Sequence, residues 1–413
     1  MQVLPRCGAA SPEHLAALRS ALHDEDLGLR QAAIETLPRL GPAAEGLKEE
    51  LARQLQHKSA EIRRAAATSL ARLSSAAETH TGELVLLLQD EDSKVRRAVM
   101  LALPQLGSAV LPFLQQVVEG LKDRHSAVRQ ATATTLSKLG PPAGVHAEEF
   151  AQALRRETEA GVCQTILEAL PNIGVAAIAP CTAEIGEHLG ARSAKTRNLA
   201  LEALLLLPEE AAAAALAAQL LHGTDHSRVL AATALLKMGP RTVIAHLDAL
   251  RSALQDKEWR VRAAAVGLAA LGEDRLGADC VNALAALLQD ETWQVRAEAA
   301  TVLPRLGRHA STLLPRFAEM TEDSGPDVRA AALRALVAVA ADGEQASVYA
   351  ERLVARLSDK HARVRAAAVQ ALAKLPSSCV RLYLHCLEQV ARDAGRGAED
   401  GAAAIAVLAQ LGH

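Results

Sequence analysis

The stretch QDETWQVRAEAATVLPRLG at residues 289–307 decides the reading of this chain, because it returns as QDEDSKVRRAVMLALPQLG at 89–107 and as KDRHSAVRQATATTLSKLG at 122–140. Each copy runs from an acidic turn through Val-Arg into alanines and then leucines at helical spacing. Self-similarity at a period of 20 to 50 residues marks a repeat architecture. With the arginine as anchor the pattern falls at Arg30, Arg63, Arg96, Arg129, Arg197, Arg228, Arg262, Arg296, Arg329 and Arg365, and Cys163 and Gly401 occupy two further slots. That makes twelve units spaced by 31 to 36 residues.

The positions after the anchor set the local structure. Apolar residues recur four, seven and ten residues on, as in Leu37/Leu40, Leu103/Leu106 and Leu303/Leu306. That spacing marks one face of a helix. In the unit of Arg262 the leucines Leu268 and Leu271 come one residue early, which reads as a local deletion. A second amphipathic segment precedes each anchor, for example LKEELARQL (47–55) and HLDALRSAL (246–254). Each unit is therefore two helices joined by a tight turn. Ser59, Ser93, Ser126, Ser193 and Ser227 are expected to cap the second helix. Gly41, Gly107, Gly140, Gly174, Gly239 and Gly307 are expected to end it. Pro38, Pro104, Pro171 and Pro304, eight residues past the anchor, should bend or shorten it to about two turns.

Composition agrees and excludes several classes. Half of the 413 residues are hydrophobic but only 2% are aromatic, so alanine and leucine carry the apolar content and favour helix over strand. The net charge of −3 disfavours a dedicated nucleic-acid binder. No apolar run approaches the ~20 residues of a membrane span. The N-terminus has no signal-peptide layout. Six scattered cysteines without a CxxC indicate neither a zinc site nor a disulfide framework, and point to the cytoplasm, with the nucleus as the second compartment. No P-loop, GxSxG, HExxH or His-Glu dipeptide occurs, so no catalytic residue, metal or cofactor is expected.

An aspartate six residues before the anchoring arginine stands as Asp24/Arg30, Asp90/Arg96, Asp123/Arg129, Asp256/Arg262, Asp290/Arg296, Asp323/Arg329 and Asp359/Arg365. This pairing resembles the signature of HEAT repeats, and the resemblance covers essentially the whole chain. It implies an all-α, right-handed α-solenoid of about twelve HEAT-type helical hairpins. Residues 1–413 form a single array in this reading, with a degenerate last unit at 377–413. The pair also has a physical reading. An arginine in the first turn of a helix faces the positive end of the helix dipole and needs an anion. The aspartate supplies one within its own unit or the next, making a structural ladder.

Two features point to partners. Trp259 in DKEWRVR and Trp293 in DETWQVR share one slot in adjacent units and are the only tryptophans. With Arg260 and Gln294 they make a candidate docking patch, since aromatics beside arginine are enriched at interfaces. The turn DKEWRVR also resembles those of the scaffold subunit of type-2A protein phosphatase, whose turns hold its partner subunits. The second feature is a basic row nine residues past the anchor, Arg39, Arg72, Lys138, Lys237, Arg305 and Lys374, suited to an acidic or phosphorylated peptide segment. The expected function is a non-catalytic scaffold or adaptor that holds other proteins, in the manner of a phosphatase regulator. The wording VRxAAAxALxxLG is also similar to repeats of bilin lyases, which leaves a subunit acting on a light-harvesting protein as the other reading. The sequence leaves the oligomeric state open.

Overall fold

Alanine and leucine at helical spacing become paired helices throughout the computed structural model, which describes residues 11–73, 79–272, 276, 278–340, 347–393 and 399–410. Side chains of residues 307–309, 393, 399–400 and 410 lie outside this description, and the helix stop expected at Gly307 lies outside it too. Contacts divide the chain into two units, Met1–Pro208 and Glu209–His413.

The first unit holds six hairpins, each a first helix followed by a second. They are α1 (Pro12–Ala21) with α2 (Leu27–Thr36), α3 (Lys48–Arg53) with α4 (Ala60–Ala71), α5 (Thr81–Leu86) with α6 (Ser93–Ala102), α7 (Leu114–Glu119) with α8 (Ser126–Leu139), α9 (Ala147–Arg156) with α10 (Ala160–Ile173), and α11 (Thr182–Glu187) with α12 (Ala194–Leu205). The second unit continues with α13 (Glu209–His222) and α14 (Asp225–Met238), α15 (Leu247–Leu254) and α16 (Trp259–Gly272), α17 (Ala278–Ala286) and α18 (Trp293–Val302), α19 (Leu314–Met320) and α20 (Pro326–Val339), α21 (Ala350–Ala355) and α22 (Ala362–Leu372), and α23 (Leu384–Asp393) and α24 (Glu399–Gln410). No strand occurs among the described residues. The chain is an all-α solenoid of hairpins.

Second helices stack on successive second helices, α4 on α6 and α6 on α8 in the first unit, α18 on α20 and α20 on α22 in the second. One such unit cannot bury its own apolar face, so the core lies between neighbours. Helix α4 buries Ile62, Ala66 and Leu70, and α6 buries Val95, Val99 and Met100. The small alanines allow close approach, while Phe150 and Phe317 are the largest fully buried side chains among the described residues. Buried polar groups tie repeats together: Thr135 donates its hydroxyl to the carbonyl of Met100 at 2.6 Å, and Gln54 donates to that of Leu22 at 3.2 Å.

Local details confirm some expectations and correct others. Gly41, Gly107, Gly140, Gly174 and Gly239 all have positive φ where the helix stops. Three of the four prolines shorten the second helix: α2, α6 and α18 have ten residues each, against 14 in α8, and the chain continues from Pro38, Pro104 and Pro304 as 3-10 turns. Ten residues is nearer three turns than two. Pro171 is accommodated inside α10. Helix α16 has no deletion. It runs a full 14 residues, with Ala269 buried seven residues past the anchor and Gly272 buried at the tenth. A side chain at Gly272 would collide with Leu276, so glycine stands where other units have leucine.

The serine caps are mostly wrong. Only Ser193 accepts from a backbone N–H of its helix, that of Thr196. Ser93 and Ser126 lie inside the first turn, Ser59 makes no side-chain cap, and Thr224 caps in place of Ser227. Ladder carboxylates close the turns before Ser93 and Ser126, where Asp90 and Asp123 accept the N–H two residues on, and His57 does so before Ser59. The segment Ser93–Lys122 is long and apolar enough by composition to suggest a membrane span. It is not one continuous α-helix, since Gly107 at φ 57° and ψ −130° divides it. The last helix, α24, buries Ala404, Val407 and Leu408 and exposes Ile405, so its apolar side is only partly covered.

Candidate protein-interaction surfaces

The ladder is a set of bidentate pairs, each of which crosses from one repeat to the next. Arg63 meets Asp90 at 2.7 and 2.8 Å, Arg96 meets Asp123 at 2.7 and 2.9 Å, and Arg129 meets Glu157 at 2.6 and 2.8 Å. In the second unit Arg228 meets Asp256 at 2.6 and 2.9 Å, and Arg262 meets Asp290 at 2.6 and 2.9 Å. Arg296 meets Asp323 at 2.8 Å twice, and Arg329 meets Asp359 at 2.8 and 2.9 Å. The planar guanidinium suits such two-point contacts.

The aspartate six residues back serves its own arginine through its backbone carbonyl. Arg96 donates to the carbonyl of Asp90 at 2.8 Å and Arg262 to that of Asp256 at 2.7 Å. One aspartate thus has three duties. Its carboxylate holds the preceding arginine, its carbonyl holds the following one, and its Oδ1 accepts the N–H two residues on, as from Asp90 to Asp92 at 2.9 Å. Asp359 does the same toward His361 and presents its carbonyl to Arg365 at 2.9 Å. At the start, Asp24 offers its carbonyl to Arg30 at 2.6 Å, and His57 stands where the next carboxylate would be. Burial and the nearby charges of Arg30, Lys58 and Arg63 hold the His57 imidazole below its ordinary pKa, so it accepts from the Ser59 N–H as a neutral ring.

Sequence spacing missed three members. Arg63 and Arg228 pair fully although their own turns lack the aspartate, and Glu157 replaces aspartate opposite Arg129. A search for any acid 27 to 30 residues after each arginine would have found all three. Cys163 and Arg197 interrupt the ladder. Cys163 is buried, and Arg197 donates to the carbonyls of Ala191 and Arg192. The carboxylates of Asp90 and Asp123 are each engaged by an arginine and by a backbone N–H.

The tryptophans begin the second helices of adjacent hairpins, Trp259 at α16 and Trp293 at α18. Trp293 is 44% exposed and Trp259 is half-buried. The Arg260 guanidinium lies 4.9 Å from the Trp259 ring centroid, and its Nη1 reaches Glu258 at 3.2 Å. Gly325 at the next turn comes so near that a Cβ there would stand 3.4 Å from that of Trp293. Gln294 is partly exposed beside it. The four residues thus share the edge of intra-repeat turns in the second unit. The basic row is exposed throughout: Arg39, Arg72 and Lys138 in the first unit, Lys237, Arg305 and Lys374 in the second. Each stands near the end of its second helix, where a cation is favourable.

Grooves between successive second helices complete the surface. One of about 500 Å³ lies between α4 and α6, and another of about 280 Å³ between α20 and α22. Among the described residues no three metal-ligating side chains converge.

The model of the family described as HEAT repeats matches residues 2–71, 44–120, 83–170 and 281–373, more than half of the chain. The chain belongs to the HEAT-repeat family. No curated protein matches this HEAT-repeat chain. Similar solved structures include the karyopherin Kap121p bound to the extreme C-terminus of the protein phosphatase Cdc14p, with TM-score 0.54 and 15% identity over 97% of this chain and 50% of that one. Kap121p by itself has TM-score 0.52 at 14% identity, covering 97% and 52%, and Kap121p bound to Nup53p has 0.53 at 15%, covering 97% and 50%. The chain thus spans about half the length of these karyopherins. At such identity the likeness is one of fold.

Proposed function

We propose that this HEAT-repeat chain is a non-catalytic scaffold that holds partner proteins, and that residues 1–413 act together as one array. The observation that carries this reading is the exposed edge of the second unit, where Trp293 offers 44% of its surface beside the Arg260-stacked Trp259. Tryptophan and arginine are enriched among the residues that carry binding energy at interfaces. Such a scaffold works by many local contacts along turns and second helices, with the basic row attracting acidic segments.

The finer reading is a phosphatase-scaffold-like regulator in the cytoplasm, supported by the turn DKEWRVR at residues 256–262. Affinity capture followed by mass spectrometry tests both levels. The wild-type chain should retain a defined partner that the Trp259→Ala/Trp293→Ala variant loses, and a phosphatase catalytic subunit among the retained proteins would support the refinement. Equal capture by both chains would remove the tryptophan edge from the proposal. A visible bilin absorbance after co-expression with the pigment would replace it with the lyase reading.

A further inference from the structure

The cleft between α4 and α6 is built on one register. Two residues before the anchors stand Glu61 and Lys94, one residue after them Arg64 and Arg97, and five after them Thr68 and Leu101. The spacing of three and four residues places each set on a single helix face. The floor is apolar, made by Ala98, Leu101 and Ala102.

Charge is unevenly used in this cleft. Arg64 is held by Glu61 at 3.3 Å. Lys94 and Arg97 are exposed, and among the described residues neither side chain has an ion-pair or hydrogen-bond partner. The cleft therefore presents one neutralised pair and two unspent cations above an apolar floor. The same register in the second unit is different. There Arg363 is spent on Asp327 at 3.2 Å, alanines 330 and 366 replace the two arginines, and the groove is smaller.

We propose that the α4–α6 cleft is a docking site for a phosphorylated serine or threonine in an extended segment of a partner protein. This rests on the scaffold reading and assigns it a ligand. A phosphate carries close to two negative charges at neutral pH, which match the two unpaired cations. Its oxygens accept the forked donors of Arg97 and the ammonium of Lys94. Glu61 remains with Arg64, so the pair leaves the charge of Lys94 and Arg97 for the ligand. The residue after the phosphate seats on Leu101 and Ala102. The cleft has no aromatic side chain on which a nucleic-acid base would stack, and its volume suits a side chain and not a duplex.

The probe is an immobilised peptide library with one fixed phosphoserine and degenerate flanks, beside matched libraries carrying serine or glutamate at that position. The full-length chain should be retained by the phosphoserine library and released by inorganic phosphate. Retention should fall at least about tenfold in a Lys94→Glu/Arg97→Glu variant. An Arg334→Glu variant in the α20–α22 groove should behave as wild type. Circular dichroism and the melting temperature verify that both variants fold. Equal retention by all three libraries, or undiminished retention of the charge-reversed variant, would overturn the proposal. So would retention of single-stranded RNA that the same variant loses. Partner capture through Trp259 and Trp293 is read separately, so failure here and failure of the scaffold reading are distinguishable.

Discussion

Arg129 is clamped by Glu157, with Nε to Oε2 at 2.6 Å and Nη2 to Oε1 at 2.8 Å, across the boundary between two repeats where every other pair of the ladder uses aspartate. The extra methylene of glutamate is absorbed because Glu157 also accepts the backbone N–H groups of Thr158 and Glu159 at 3.0 Å each. Only 3% of its side chain is exposed. Removing it leaves the partly buried Arg129 guanidinium without its anion. Glu157→Ala should cost about 2 kcal/mol in urea denaturation, less than for a fully buried charge because Arg129 is 18% exposed and keeps the Asp123 carbonyl, whereas Arg129→Met/Glu157→Leu should recover most of that loss.

Acid should dismantle the ladder. Burial pushes the carboxyl pKa values of Asp90, Asp123, Glu157, Asp290, Asp323 and Asp359 up, but hydrogen bonds from the paired arginine and the turn N–H outweigh it and hold each below its ordinary value. A group depressed in the folded state adds stability that is complete above its unfolded pKa and lost as pH falls through its folded one. Melting temperature should therefore hold above about pH 5 and fall steeply below about pH 4. An Asp290→Asn chain should show a smaller drop over the same interval.

Two cysteines should be silent. Burial pushes the thiol pKa of Cys163 up to about 11 and that of Cys181 up to about 12, with nearby Glu157 and Glu184 acting in the same direction. The thiolate is the reactive form. At pH 8 a disulfide reagent should leave both unmodified in the folded chain, while partly exposed Cys379 and Cys386 react first. Peptide mapping after alkylation gives the readout, and urea should make all four equivalent.

The helix stop at Gly107 is a backbone requirement. Its φ of 57° with ψ of −130° is a conformation that only glycine adopts freely, although no atom blocks a Cβ there. Gly107→Ala should destabilise by about 1–3 kcal/mol. Gly46→Ala, which also has open space and has no positive φ, should be within about 0.5 kcal/mol of wild type. Chemical denaturation of the two variants separates conformation from crowding.

The two tryptophans should report separately. Trp293 is open to solvent and Trp259 is half-covered, with Arg260 over its ring. Trp293→Phe should remove most of the acrylamide-quenchable emission, leaving a less accessible signal from Trp259. The change should alter stability by less than about 0.5 kcal/mol, because the ring is not part of the core.

Twelve hairpins, their approximate bounds and the alanine-leucine faces of their second helices were all determined by sequence, because helical periodicity repeated at a fixed interval admits no other economical reading. Asp90 and Arg96 were visible as a pair in the same way, yet what joins them was not. Tertiary stacking alone decided that the Asp90 carboxylate belongs to Arg63 and only its carbonyl to Arg96, since the contact spans 27 residues and depends on how one helix lies on the next. For the same reason Ser93 and Ser126 resemble caps in sequence, whereas in the fold the Asp90 and Asp123 side chains occupy their turns. The unequal clefts were equally hidden: Lys94 and Arg363 hold one register position, and only the neighbouring helix leaves the first unpaired and supplies Asp327 to the second. Local periodicity is written into each segment, whereas the company a side chain keeps is settled between segments.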